Sequence, residues 1–251
     1  MDGRGARCPL IWQPWSRGFI IAAMRTRTLL SAIVLSLLPA ISTLAEDKIP
    51  WPEHPRPDFE RAAWVNLNGR WSFAFDPQDV GEKEGWAQPG RRFDREIVVP
   101  FPWESKLSGI GDTEYKGVAW YAREVTIPKG DGWDGRAAWL IIGACDFETK
   151  VFVNGQLAAE HVGGYLPIEV NLSRFAGPGE KVHIAIRARD ITDPQQPTGK
   201  QVHWYTRTSG IWQTVYLEAR HPSHIRSFQC FPNIKDGSAT FKVTLTPSEG
   251  K

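Results

Sequence analysis

The stretch Lys150-Val-Phe-Val-Asn-Gly-Gln-Leu157 decides the fold, because it predicts two strands joined by a two-residue turn. Asn154 and Gly155 both tolerate a positive φ, which a type I′ turn requires at its two central positions. This turn matches the right-handed twist of paired strands, so the flanking segments are expected to pair in antiparallel register. The stretch therefore predicts a β-hairpin within an antiparallel sheet.

Segments with a period of two residues continue on both sides of this hairpin. Turn residues separate them, and the run at 137–142 is continuously apolar, as is typical of a central strand covered on both faces. No segment shows convincing helical periodicity. The pattern predicts an antiparallel β-sandwich, most naturally a jelly roll. The other predicted strands are residues 71–75, 97–99, 119–127, 168–172, 182–187 and 211–217.

A second β domain is expected to begin after His221-Pro222. Residues 225–228 and 240–245 read as its first strands, and about thirty residues are too few to close a sandwich. These strands should therefore be poorly covered. The predicted organisation is an upstream extension at 1–23, a signal peptide at 24–45, the sandwich at 46–220 and a truncated second domain at 221–251.

The N-terminal region has the pattern of a secretion signal. Basic Met24-Arg-Thr-Arg27 precedes an apolar run at 28–38, and Thr43-Leu-Ala45 provides a small-x-small cleavage site. We expect cleavage after Ala45 and export to the periplasm or the medium, with no membrane attachment afterwards. Residues 1–23 would then follow from a misassigned start. An uncleaved membrane anchor is the alternative.

Composition excludes some functions. A net charge of +2 over 251 residues is too weak to favour nucleic acid as a partner. No zinc-ligand spacing or phosphate-binding loop is present, so no cofactor is expected. Cys145 and Cys230 leave a disulfide open without establishing it. The 12 tryptophans suit a large β core or a sugar-stacking surface, and the core is favoured.

Five motifs lie in a fixed order across residues 64–220. They are Leu67-Asn-Gly-Arg-Trp-Ser-Phe73, Val99-Pro-Phe-Pro-Trp-Glu-Ser-Lys-Leu-Ser-Gly-Ile110, Gly117-Val-Ala-Trp-Tyr-Ala-Arg-Glu124, Phe152-Val-Asn-Gly155 with His161-Val-Gly-Gly-Tyr165, and Ser209-Gly-Ile-Trp-Gln-Thr-Val-Tyr-Leu-Glu218. In this order they resemble the N-terminal sugar-binding domain of glycoside hydrolase family 2, which includes β-galactosidases, β-glucuronidases and β-mannosidases. The resemblance implies a galactose-binding-domain-like jelly roll, followed by the truncated start of an immunoglobulin-like sandwich.

The resemblance also implies that these residues are not catalytic. Family 2 hydrolysis uses two glutamates, in a TIM barrel that follows later in the chain. Nothing here resembles that barrel, and Glu104 and Glu114 are expected to be solvated loop residues. The parent is expected to be a retaining, β-galactosidase-like O-glycoside hydrolase acting on a β-glycoside. Its catalytic barrel would be the partner of this domain.

One loop carries the predicted sugar contacts. In the family, the loop before the Ser-Gly-Ile strand reaches toward the barrel and helps to close the sugar pocket. Here it offers Asp190, His203, Trp204 and Tyr205. Carboxylates accept charge-assisted hydrogen bonds from hydroxyls, and aromatic faces suit the C–H face of a pyranose. The position of the acid at 190 resembles that of an acid in β-galactosidases. Some β-glucuronidases carry an acid close to the position that Trp204 occupies here.

Two other functions remain open from the sequence. A free-standing carbohydrate-binding module or lectin could use the same sandwich, and a structural domain could mediate subunit contacts only. The apparent start of a second β domain after His221 favours the accessory domain of a glycosidase, because family 2 uses that order.

Overall fold

A computed structural model of the protein describes residues 48–191, 193, 195–196 and 204–246. The expected signal peptide, its membrane-anchor alternative and the extension at 1–23 all lie outside these residues. Within them, no helix is both long enough and apolar enough to cross a membrane. The described chain is almost entirely β-structure, with two short 3-10 turns at Lys106–Ser108 and Leu172–Arg174.

Two antiparallel sheets make up the predicted sandwich. The larger has six strands in the spatial order β3 (Arg95–Val99), β2 (Gly69–Asp76), β4 (Gly117–Thr126), β10 (Lys181–Asp190), β7 (Glu148–Val153) and β8 (Gln156–Val162). The smaller has the order β1 (Trp64–Asn66), β12 (Val215–Arg220), β5 (Ala137–Ile142) and β9 (Ile168–Asn171). Two short strands, β6 (Cys145–Asp146) and β11 (Gly210–Ile211), pair separately.

The hairpin of β7 and β8 has the predicted turn. Asn154 has φ +50° and Gly155 has φ +79°, while Val153 pairs with Gln156. The side-chain oxygen of Asn154 also accepts a hydrogen bond of 2.8 Å from the backbone N–H of His183. The turn is therefore fastened to the neighbouring strand β10 as well as to its own hairpin.

The space between the sheets is filled by alternate side chains from both. Trp71, Phe73 and Tyr121 come from the larger sheet, and Leu140 and Ile142 come from the smaller. All five are at most 1 % exposed. Burying a side chain of this size stabilises the fold by roughly 1.5–3 kcal/mol. Among the described residues, the fully buried tryptophans pack in the core, which is the role that the amino-acid composition favoured over sugar stacking.

The outer face of the larger sheet is also covered. Trp120 stacks on Phe152 with ring centroids 5.6 Å apart, and Trp86 and Phe93 pack over them from the loop after β2. The indole N–H of Trp120 donates to Asp76 over 3.1 Å. Trp120 and its neighbour Tyr121 thus face opposite sides of β4, as the alternation predicts, and both are fully buried.

One strand prediction was wrong. Residues 211–217 do not form one strand, because the chain passes there from one pairing to another. Gly210–Ile211 pairs with β6, whereas Val215–Arg220 pairs with β1 and β5. Between them, the indole N–H of Trp212 donates to the carbonyl of Gly164 over 2.7 Å. The short strands β1 and β6 carry too few residues for a periodic signal and were not predicted.

The two strands expected after residue 221 are present as β13 (His224–Asn233) and β14 (Ser238–Thr246). They pair only with each other, and most of their side chains are exposed, as expected of strands without a closed core. The domain boundary itself stays a prediction. The exposed apolar side chains are Ile225, Phe228, Phe231, Phe241, Val243 and Leu245.

The two described cysteines are free. Cys145 is buried, and burial raises the pKa of its thiol to about 12. Cys230 is exposed on β13. The disulfide that the sequence left open is therefore not formed.

Replacing Gly210 with alanine should destabilise the sandwich strongly. Gly210 has φ +73°, and an added Cβ would meet the hydroxyl of Tyr121 and lie 2.9 Å from the ring of Trp103. Gly90 has φ +83° with open space around it, so Gly90→Ala is the matched control.

Both variants should lose about 1 kcal/mol for the positive φ. Gly210→Ala should lose a further ~1–3 kcal/mol from overpacking. Denaturant unfolding of the two variants measures the difference, and equal losses would show that the space around Gly210 is not limiting.

Candidate functional site

The site is built around the C-terminal end of β10. Asp190 is the last residue of this strand and pairs with Gly117 of β4. Its side chain continues the inward-facing series of Ile184, Ile186 and Ala188, which all lie in the core between the sheets. Asp190 is consequently only 7 % exposed, although it borders a loop.

Glu104 reaches the same place from the loop after β3. Trp103, which is fully buried, packs edge-on against Phe75 and Tyr115 and anchors this loop. Glu104 is therefore 5 % exposed. The expectation that it is a solvated surface residue was wrong, because the anchored loop turns its carboxyl inward. Glu114, ten residues later, is exposed as expected.

Ser209 joins the two acids. Its Oγ lies 2.5 Å from Oε1 of Glu104 and 2.5 Å from Oδ2 of Asp190, and its backbone N–H donates to Oε2 of Glu104 over 3.1 Å. Ser209 is fully buried and directly precedes β11. The serine thus ties together the end of β10, the loop after β3 and the start of β11.

A third carboxyl group lies close by on β6. Asp146 pairs with Gly210 across the short sheet, and its carboxyl occupies the space where a side chain at Gly164 would stand. Burial, together with the charges of Asp190 and Glu104, raises the pKa of Asp146 to about 7. Burial also raises the pKa values of Glu104 and Asp190.

Two cations moderate this acidic cluster. Arg207 lowers the pKa of both Glu104 and Asp190, and Lys116 lowers that of Asp190. Arg207 donates through Nη2 to the carbonyl of Tyr115 over 2.8 Å, while its buried Nη1 has no hydrogen-bond partner in the described structure. Across the described residues, no set of acidic, histidine and cysteine side chains is arranged to hold a metal ion.

The four residues predicted to contact sugar fall into separate environments. Asp190 is buried and bonded to Ser209, as above. Trp204 and Tyr205 are 82 % and 65 % exposed. His203 lies outside the described residues. The set therefore divides into one buried acid and two solvent-exposed rings, and its role in sugar contact stays a prediction.

Sequence reasoning missed the partners of Asp190. Glu104 and Ser209 are 105 residues apart in the chain, and neither stands in a motif that marks buried acids. The available signal was indirect. Glu104 follows Phe-Pro-Trp, an apolar segment able to anchor a loop, and Ser209 precedes the Gly-Ile pair of the closing motif.

Comparison with known proteins gives a consistent result. Residues 64–221 match the family model described as "Glycosyl hydrolases family 2, sugar binding domain". A β-glucuronidase of Paenibacillus borealis is 26% identical over 166 residues, which is 66% of this chain and 26% of that protein. A β-galactosidase of Thermoanaerobacter pseudethanolicus is 23% identical over 189 residues, which is 72% of this chain and 24% of that protein.

A solved structure of Ruminococcus gnavus β-glucuronidase superposes with a TM-score of 0.61 at 22% identity, covering 78% of this chain and 34% of that one. At this identity the likeness shows the fold alone. The chain spans about a quarter of the length of the two curated relatives.

Removing the hydroxyl of Ser209 should destabilise the protein by about 1–3 kcal/mol, since buried carboxyl groups would lose their common hydrogen-bond partner. Thr113→Ala is the matched control. Thr113 is exposed in the loop that carries Glu104, and its hydroxyl bonds only to Glu114, over 3.2 Å. Thermal or denaturant unfolding of Ser209→Ala and Thr113→Ala measures both. A Ser209→Ala loss no larger than that of the control would mean that the serine does not hold the acids.

Proposed function

Because this chain belongs to glycoside hydrolase family 2 through its sugar-binding domain, we propose that it serves an exported family 2 enzyme by lending a loop to the sugar pocket. The described chain is a sandwich that is itself non-catalytic. The hydrolytic glutamates would belong to a later barrel, where a retaining mechanism uses one as the nucleophile and one as the acid/base. That the matched region makes up about a quarter of the relatives' length supports this division.

One observation carries the proposal for the site. The buried acid Asp190 ends a central strand and is hydrogen-bonded to Ser209, which follows the exposed rings of Trp204 and Tyr205 by a few residues in the chain. A carboxylate oxygen accepts a hydrogen bond from a sugar hydroxyl, and an exposed ring offers a flat apolar face to a pyranose.

A β-galactoside is the first proposed substrate, because the position of the acid at 190 resembles that in β-galactosidases. Charge does not decide between a neutral sugar and a uronate. Burial raises the pKa values of Asp146, Asp190 and Glu104, and the cations Arg207 and Lys116 act on the same cluster.

A β-glucuronide is the second candidate. It is supported by the names of relatives such as the Paenibacillus borealis enzyme. The acids would then need to be protonated or shielded by Arg207 for a uronate to approach. Comparing aryl β-galactoside with aryl β-glucuronide as substrates for the full-length enzyme separates the two candidates.

Replacing Asp190 with asparagine in the full-length enzyme should raise KM for the preferred aryl β-glycoside. Losing one charge-assisted hydrogen bond corresponds to about 1.5–3 kcal/mol, or roughly tenfold or more in affinity. Trp204→Ala should also raise KM, without changing stability, because its ring is exposed. Glu114→Gln, an exposed acid in a neighbouring loop, is the control and should leave KM unchanged.

An unchanged KM in both Asp190→Asn and Trp204→Ala would remove these residues from the site. Sugar binding by the 251-residue chain alone would instead favour a free-standing binding module. Concentration-dependent dimerisation without any sugar binding would favour a structural domain.

Export is proposed from the signal pattern at residues 24–45. The secreted protein should begin at Glu46, immediately after the small-x-small site, and N-terminal sequencing of material from the periplasm or medium measures this directly. A mature protein that retains residues 28–38 would instead support the membrane anchor.

A further inference from the structure

The group formed by Glu104, Ser209 and Asp190 contains two short contacts that one hydroxyl cannot satisfy alone. Oγ of Ser209 lies 2.5 Å from a carboxyl oxygen of each acid. A serine hydroxyl has one proton to donate, and an ionised carboxylate has none. Both contacts are hydrogen bonds only if one of the two carboxyl groups is protonated and donates to Oγ.

We propose that Glu104 and Asp190 share one proton through Ser209, and that Glu104 and Ser209 are thereby positioning residues for Asp190. The proton belongs to the pair rather than to either acid, as is usual for strongly interacting groups. The shared proton follows from the geometry of the three side chains. The positioning role rests on the proposed function of Asp190 as a sugar contact.

Burial supports the shared proton. Glu104 and Asp190 are 5 % and 7 % exposed, and among the described residues neither forms an ion pair within 4.0 Å. Two adjacent ionised carboxylates in such a place would repel each other and lose hydration. Burial is the main cause that raises the pKa of each acid.

Other titratable groups face the pair from every neighbouring element. Asp146 on β6 adds negative charge and has a pKa of about 7. Arg207 and Lys116 act in the opposite direction, and neither is ion-paired with the acids in the described structure. The remaining titratable neighbours, Tyr121 on β4 and Cys145 on β6, have strongly raised pKa values because of burial and stay neutral.

The bridge sets which oxygen of Asp190 is available. Oδ2 is occupied by Ser209, whereas Oδ1 makes no hydrogen bond within the described residues. A carboxyl group held by one oxygen presents the other in a fixed direction, so little rotamer freedom is lost when a hydroxyl binds there. If both acids were ionised, Ser209 could donate to only one of them. The carboxyl group of Asp190 would then no longer be held in a fixed direction.

The sign of the pH effect follows from the raised pKa values. A group whose pKa is higher in the folded state than in the unfolded state stabilises the fold at low pH, and this contribution is lost as pH rises through the folded pKa. Each pKa unit of difference corresponds to about tenfold in the unfolding equilibrium constant. The bridge should therefore weaken on going from mildly acidic to alkaline solution.

Glu104→Gln tests the proton directly in the 251-residue chain. Its amide N–H₂ can donate to Ser209 without titrating, while its amide oxygen can still accept from the Ser209 N–H. Glu104→Ala removes both bonds, and Glu114→Gln controls for losing an acid from the surface. Asp146→Asn removes the carboxyl group of Asp146, which would otherwise titrate near pH 7 together with the pair. Infrared spectroscopy distinguishes the C=O stretch of a protonated carboxyl group from the stretch of a carboxylate.

With Asp146→Asn present in every variant, infrared spectra should show a protonated carboxyl group near neutral pH in Asp146→Asn alone and in Asp146→Asn combined with Glu114→Gln. That signal should disappear when Glu104→Gln is added to Asp146→Asn. In the same background, the stability measured by unfolding from about pH 5 to about pH 9 should lose the pH dependence of the pair with Glu104→Gln, with stability retained, and should be lower at every pH with Glu104→Ala. A signal that persists with Glu104→Gln in the Asp146→Asn background, or equal destabilisation by glutamine and alanine at every pH, would overturn the shared proton.

The positioning role of Glu104 is tested separately, by measuring KM for an aryl β-galactoside with the full-length enzyme. Glu104→Gln should keep KM and flatten its rise with pH, and Glu104→Ala should raise KM about as much as Asp190→Asn. If Asp190→Asn raises KM while Glu104→Ala leaves it unchanged, the positioning role fails although the sugar contact stands. If Asp190→Asn has no effect, the proposed function fails, and the infrared result alone decides the shared proton.

Discussion

Strand β10 is hydrogen-bonded on both sides, and the sandwich and the site both depend on that double pairing. It pairs with β4 over residues 181–190 and with β7 over residues 184–189. One of its faces fills the core between the sheets, and on the other Arg187 forms a bidentate ion pair with Asp79 at 2.7 Å. A strand fixed along both edges cannot rotate, so residue 190 enters the core side of the sheet with a set direction. Asp190 is therefore directed toward the core and is only 7 % exposed.

Once an acid is placed there, its neighbours are constrained in turn. A buried carboxyl group costs free energy unless hydrogen bonds or protonation compensate. Ser209 supplies the bond, which requires the chain at 209–211 to approach Tyr121 and Trp103 so closely that only glycine fits at 210. The carboxyl of Asp146 likewise leaves no room for a side chain at Gly164. The glycines of two family motifs are thus explained by close approach to the acids and to the aromatic rings beside them.

The sequence predicted the local parts of this arrangement well. The Asn-Gly turn, the central apolar strand at 137–142 and the alternation of Trp120 and Tyr121 each depend on neighbouring residues, and each was confirmed. The environment of Glu104 could not be predicted, since it depends on Ser209, 105 residues away. Residues 211–217 were misread for a related reason: the apolar pattern is continuous, but the partner strand changes within it. Burial of a loop residue is set by tertiary contacts that no short pattern contains.

The site separates a rigid part from an exposed part. The acids lie on strands and on an anchored loop, while Trp204 and Tyr205 stand in solvent. Pockets for small ligands usually enclose about 70–90% of the ligand surface. One buried acid with two exposed rings encloses far less than that, so a second surface must cover the sugar if it is to bind here tightly. Under the proposed function, the catalytic barrel of the parent enzyme would supply that surface. The physical contribution proposed for this domain is to hold one acceptor oxygen of Asp190 in a fixed direction at the edge of a pocket that another surface completes.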